Sequence, residues 1–146
     1  MRREMSVEIA APSETVWPLL VEPEKLLKWC TILEEFRYTT EQQGGVGAPC
    51  YFKERTGGRV VKCHAVVTEW VENQRLTFKM DSSDFWKDYE ETWTLEAMPS
   101  GCKATIRLRF ELPDETAEII ENQSGERRPP PESENVMTNL KRLAEA

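Results

Sequence analysis

The sequence predicts an α+β fold in which a curved, seven-stranded antiparallel sheet meets two short helices and a long C-terminal helix. Three observations predict it. The middle of the chain is a run of alternating segments joined by short turn signals, Gly57-Gly58 and Glu72-Asn73-Gln74 among them, which makes consecutive hairpins rather than parallel crossovers. The last of these segments is apolar on one face only, so one side of the sheet must be covered. Proline-opened helical patterns stand before the strands, and an amphipathic pattern closes the chain.

Residues 5–10 alternate and form the first predicted strand. Pro12 suits the first position of a helix, with Glu14 near its positive end and an apolar face of Val16, Trp17, Leu19 and Leu20. Pro23 opens a second short helix containing Leu26, Leu27 and Trp29. Strands then follow at residues 32–40, 50–55, 59–71 and 75–80, a polar link at 81–84, and strands at 89–98 and 102–112. In the last strand Cys102, Ala104, Ile106, Leu108, Phe110 and Leu112 share one face, and Lys103, Thr105, Arg107, Arg109 and Glu111 the other. The same test turns Val61, Cys63, Ala65 and Val67 inward with Leu76, Phe78 and Met80, and turns Lys62 and His64 outward. Thr116–Ile120 suits a helical turn, and residues 123–131, with three consecutive prolines, read as loop. Residues 132–145 form the terminal helix, with Val136, Leu140 and Leu143 on one face. No internal repeat appears, and residues 1–146 are expected to form a single domain.

A net charge of −7 disfavours both the phosphate backbone of nucleic acid and an anionic membrane surface. The N-terminal residues contain no apolar run of the signal-peptide kind, and no stretch approaches the ~20 apolar residues of a membrane span. A cytoplasmic protein is expected. Cys30, Cys50, Cys63 and Cys102 form no C-x-x-C pair and read as small core residues, so neither disulfides nor a metal site is expected. Cys63 and His64 are strand neighbours pointing to opposite faces, which separates them as ligands. Nothing calls for a cofactor: Gly44-Gly45-Val46-Gly47 lies between strands, with no helix N-terminus to complete a phosphate site.

The order strand, two short helices, six strands, long helix resembles the START-like or Bet v 1-like (SRPBCC) superfamily. Three local features carry the resemblance: Ile9-Ala10-Ala11-Pro12-Ser13-Glu14-Thr15-Val16-Trp17 followed by Pro23-Glu24-Lys25-Leu26 and Trp29; Val67-Thr68-Glu69 with Arg75-Leu76-Thr77-Phe78; and Asn139-Leu140-Lys141-Arg142-Leu143. Within the superfamily the sequence looks most like the bacterial polyketide cyclase and dehydrase-like proteins. The resemblance implies a helix-grip fold, with the sheet wrapped around the terminal helix and an apolar cavity between them. It implies a lipid-like, aromatic or polyketide-like ligand. Residues 121–134 depart from the pattern, because prolines and a polar run interrupt what is usually a longer helix.

Such a cavity would be lined by Trp17, Trp29, Phe52, Val67, Phe78, Tyr89, Trp93, Phe110 and Leu140, with Trp29 near the mouth and Trp93 on the sheet floor. Plain core packing accounts for any single one of them equally simply. If Phe52 faces inward, so does Glu54; if Trp93 and Leu95 face inward, so do Glu91 and Tyr89. A carboxyl in apolar surroundings has its charged form disfavoured, which suits it to proton transfer. The plainer alternative puts each at a wet strand end or beside an Arg or Lys. His64 falls on the wet face, and no Ser-His-Asp set can be assembled. The leading expectation is a non-catalytic binder of a hydrophobic small molecule. The alternatives are a cyclase or dehydrase-like enzyme using Glu54 or Glu91, and a protein-interaction module with a protein partner.

Overall fold

Alternation of apolar and polar residues produces seven strands among the described residues: β1 (Arg2–Ile9), β2 (Leu33–Tyr38), β3 (Pro49–Thr56), β4 (Arg59–Val71), β5 (Arg75–Ser83), β6 (Asp88–Met98) and β7 (Gly101–Glu111). The helices are α1 (Ser13–Val21), α2 (Pro23–Trp29) and α3 (Pro131–Glu145). The computed structural model describes residues 1–56, 58–111 and 131–146. Leu112, the helical turn expected at Thr116–Ile120 and the loop expected at 123–130 lie outside them.

The strands make one antiparallel sheet in the order β1-β7-β6-β5-β4-β3-β2. Six of the seven follow one another as a meander. β1 instead pairs with the last strand, from Arg2 opposite Arg109 to Ile9 opposite Cys102. The sheet curls around α3, the helix-grip arrangement. Gly101 is required at the start of β7. Its φ is +149°, and a side-chain carbon there would sit 2.0 Å from the Ile9 carbonyl oxygen. Asn73, at φ 65°, supplies the left-handed residue of the β4–β5 turn, which the Gln74 amide closes on the Val71 carbonyl at 2.9 Å.

The alternation assigns faces as expected. Val61, Cys63, Ala65 and Val67 are buried while Lys62 and His64 are exposed, and Cys102, Ala104, Ile106 and Phe110 line the dry face of β7. Several boundaries differ from expectation. β1 starts three residues sooner, because Arg2 to Glu4 continue the pairing with β7. α1 takes Pro12 as its cap rather than its first residue, and Pro131 already opens α3. The polar residues 81–83 are strand, not link, since Ser82 and Ser83 pair with His64 and Cys63 across a bulge.

The concave face is closed by the helices. α3 packs on β1, α1 and α2, with Val136, Met137, Leu140 and Ala144 buried. Its polar end is tied to β1: the Lys141 ammonium donates to the Glu8 carbonyl at 3.0 Å, and the Glu145 carboxylate accepts from the Ala10 amide at 2.8 Å and from Lys141. Asn139 reaches the Trp29 carbonyl at 3.3 Å. Tyr38 donates to the Val21 carbonyl at 2.8 Å, pinning β2 to the end of α1. Among the described residues no helix is long and apolar enough to cross a membrane.

Candidate ligand-binding cavity

Helices resting on a curled sheet touch it along their ridges and leave space behind. Here that space is a cavity of about 540 Å³ between the concave face and the three helices. Its floor comes from inward positions of β3, β5, β6 and β7, and its roof from Leu20, Leu26 and Trp29 with Val136 and Met137 of α3. Volume and lining fall in the range of small-molecule sites.

Six of the nine expected lining residues are in the cavity wall: Trp29, Phe52, Phe78, Tyr89, Trp93 and Phe110. Trp17, Val67 and Leu140 are not in that wall. Trp17 turns toward the far end of β4 and packs edge-on against Trp70 at 5.2 Å, so its place on α1 is taken by Leu20, three residues on. Leu140, 0% exposed, lies one helical turn beyond Met137 in solid core, and Val67 is likewise packed over. Trp29 is not at a mouth. It is 1% exposed, donates its indole N–H to the Leu19 carbonyl at 2.7 Å and stands edge-on to Trp93 at 5.7 Å.

Both carboxyls singled out in the sequence reach this cavity. The phase set by Trp93 carries Tyr89 and Glu91 inward on β6, and the phase set by Phe52 carries Glu54 inward on β3. Glu54 Oε1 accepts a hydrogen bond from the Trp86 indole N–H at 3.1 Å. Glu91 Oε1 accepts from the Tyr89 hydroxyl at 3.2 Å. The Trp86 and Tyr89 rings pack at a tilt of 40° with centroids 5.6 Å apart, so the four side chains form one connected patch. Neither carboxyl lies in open water or beside a base that draws its pKa down.

The electrostatic consequence is marked at Glu91. Desolvation and then the nearby Glu54 carboxyl push it up to about 7, against the smaller opposing effect of hydrogen bonds from Tyr89 and Trp93. Burial also raises Glu54, with Trp86 opposing. Glu91 is enclosed by protein on the scale that sets its solvation, yet its surface is partly accessible because it faces the cavity. Burial pushes the Cys50 and Cys63 thiols up to about 12, which leaves them protonated core groups.

Sequence reasoning missed Trp86, Phe85, Arg3 and Arg59, all of which line the cavity. Trp86 is aimed by a local device. Ser83 Oγ accepts from the Phe85 and Trp86 amides at 3.1 and 3.0 Å, a turn that ends β5 and swings the indole over Glu54. A serine shortly before two adjacent aromatics was the available signal. Arg3 and Arg59 stack over Phe110 and Phe85 at 5.7 and 4.9 Å. Their guanidinium groups lie over the aromatic rings, and no hydrophobicity pattern marks an arginine for that task. Among the described residues no group of His, Cys, Asp and Glu is placed to hold a metal ion.

The model of the family described as polyketide cyclase / dehydrase and lipid transport matches residues 2–145. Among solved structures, a START superfamily protein from Mycobacterium smegmatis is 15% identical at a TM-score of 0.75, covering 99% of this chain and 97% of that one. The Zhui aromatase/cyclase from Streptomyces sp. R1128 is 14% identical at a TM-score of 0.75, covering 99% and 93%. A protein from Thermus thermophilus is 21% identical at a TM-score of 0.72, covering 99% and 95%. At these identities the structures share the fold. A search of curated protein sequences finds no match.

Proposed function

This chain belongs to the polyketide cyclase, dehydrase and lipid transport family, and from that membership we propose that its cavity binds a hydrophobic small molecule, lipid-like or polyketide-like, and holds it without transforming it. The observation that carries this reading is the cavity itself: about 540 Å³ walled mainly by aromatic and aliphatic side chains from the sheet and all three helices. Its four cysteines are free and buried, which supports a reducing, cytoplasmic setting.

The test is titration with the neutral fluorophore N-phenyl-1-naphthylamine, followed by displacement with fatty acids and polycyclic phenols. Saturable fluorescence enhancement is expected, with displacement by at least one competitor class. Leu108, on the cavity wall and only partly buried, gives the control. Leu108→Trp fills the space from within and should abolish the enhancement while the circular dichroism spectrum is retained. Enhancement that survives this substitution unchanged would place the dye elsewhere and remove the main support for the reading.

A second reading is favoured by one specific feature, the Glu91 carboxyl that titrates near neutrality beside the Tyr89 hydroxyl. A carboxyl half-ionised at working pH can take a proton from carbon next to a carbonyl and return it to a departing hydroxyl, the elementary steps of cyclisation and dehydration. Under that reading Glu91→Gln lowers turnover of a poly-β-ketone mimic by roughly 10²–10⁴-fold while binding of the mimic is kept. Unchanged turnover would exclude Glu91 from the chemistry.

A further inference from the structure

Glu54 comes from β3 and Glu91 from β6, strands separated in the sheet by β4 and β5. Only the curl of the sheet brings both into one cavity. Around them the described hydrogen-bond donors are Trp86, Tyr89 and Trp93, all uncharged. Arg3 and Arg59 also line the cavity, but they are held over Phe110 and Phe85, and neither draws down either carboxyl. Neither acidic group is therefore paired with a cationic side chain among the described residues of this largely apolar chamber. A chamber built only to be packed, or to hold a hydrocarbon, gains nothing from them, since each costs desolvation that an isosteric apolar residue would avoid.

We propose that the ligand carries a protonated amine on an apolar or aromatic body, with the ammonium seated between Glu54 and Glu91. This rests on the reading of the cavity as a binding site and names the class of molecule it takes. The ammonium supplies the missing counter-charge. Each carboxylate has about four acceptor directions; Trp86 takes one at Glu54, and Tyr89 and Trp93 take two at Glu91, so room remains for the donors of an ammonium. The rings of Trp86, Tyr89 and Trp93 line the cavity beside the same carboxyls and supply the aromatic surface for the apolar body. A hydroxyl in the same place satisfies fewer acceptors and leaves the charge uncompensated. A carboxylate there is repelled.

Three rigid probes of nearly one shape separate these cases: 1-naphthylmethylamine, 1-naphthylmethanol and 1-naphthoate, each titrated into the purified protein by calorimetry at pH 7.5. The amine is expected to bind at least about tenfold more tightly than the alcohol, as charge-assisted hydrogen bonds outweigh neutral ones. In Glu91→Gln and in Glu54→Gln that preference should shrink toward unity while alcohol binding persists, which shows that the cavity is intact. Equal affinity for amine and alcohol, or tightest binding of the naphthoate, would overturn the inference and leave the cavity reading standing. Binding of none of the three overturns both.

Discussion

Glu91 reports on its surroundings through its proton. Its carboxyl stands at about 7 in the folded protein against an ordinary 4.5, so the native state holds the proton more tightly than the unfolded chain does. The stability this contributes is fully present below the ordinary value and is lost as pH rises through the folded value. The wild-type protein should therefore weaken between pH 5 and pH 8 by on the order of 2 kcal/mol from this group, at ~1.4 kcal/mol per unit and discounted for the water that reaches it through the cavity. Glu91→Gln removes the linkage. Urea unfolding should show a flatter pH dependence for the variant and greater stability than wild type at pH 8. Glu54, also raised, leaves a residual slope of the same sign. A variant that tracked wild type at both pH values would mean that Glu91 is solvated like a surface carboxyl.

Among the strands and helices, the fold depends on two closures that bring distant parts of the chain together. The first joins β1 to β7, where Gly101 lies against the Ile9 and Ala11 backbone. Gly101→Ala places a methyl group on the Ile9 carbonyl and should cost about 2 kcal/mol or more, since both the positive φ and the contact oppose it. The second is α3, whose Leu140 is fully buried where the helix meets the rest of the core. Leu140→Ala should cost ~2–5 kcal/mol by the usual cavity-forming penalty. Chemical denaturation measures both. The two losses differ in kind: truncating Leu140 opens a space in solid core, whereas the alanine at Gly101 strains a strand pairing and should also speed hydrogen exchange along β1.

Taking the molecule as a whole, a cavity of about 540 Å³ inside a 146-residue chain is space that close packing would otherwise fill. A ligand that occupies it stabilises the native state by mass action, about 2.7 kcal/mol at a hundredfold excess over Kd. Saturating ligand should raise Tm by several degrees. Leu108→Trp, which occupies the same space with its own side chain, should abolish that shift. Differential scanning fluorimetry on the two proteins checks this, and a ligand that stabilised both equally would be binding outside the cavity.

Where the seven strands run, and which way most of their side chains point, was legible in the chain before any fold was known. The run Cys102 to Phe110 and the run Val61 to Val67 read correctly because strand alternation is local: once one residue of a strand is assigned to the core, its neighbours at even spacing follow. The same rule sent Glu54 and Glu91 inward from Phe52 and Trp93. Local phase does not say whether an inward residue meets empty space or another side chain. Trp17, Val67 and Leu140 were as apolar as Trp29 and Phe78, yet they fell on solid core. Arg3 and Arg59 joined the wall with their guanidinium groups over aromatic rings, and Trp86 through a serine turn. The curl of the sheet and the seat of α3 governed these outcomes, because both are sums over contacts between residues far apart in sequence. That is why two carboxyls from separate strands meet in a single apolar chamber only once the chain is folded.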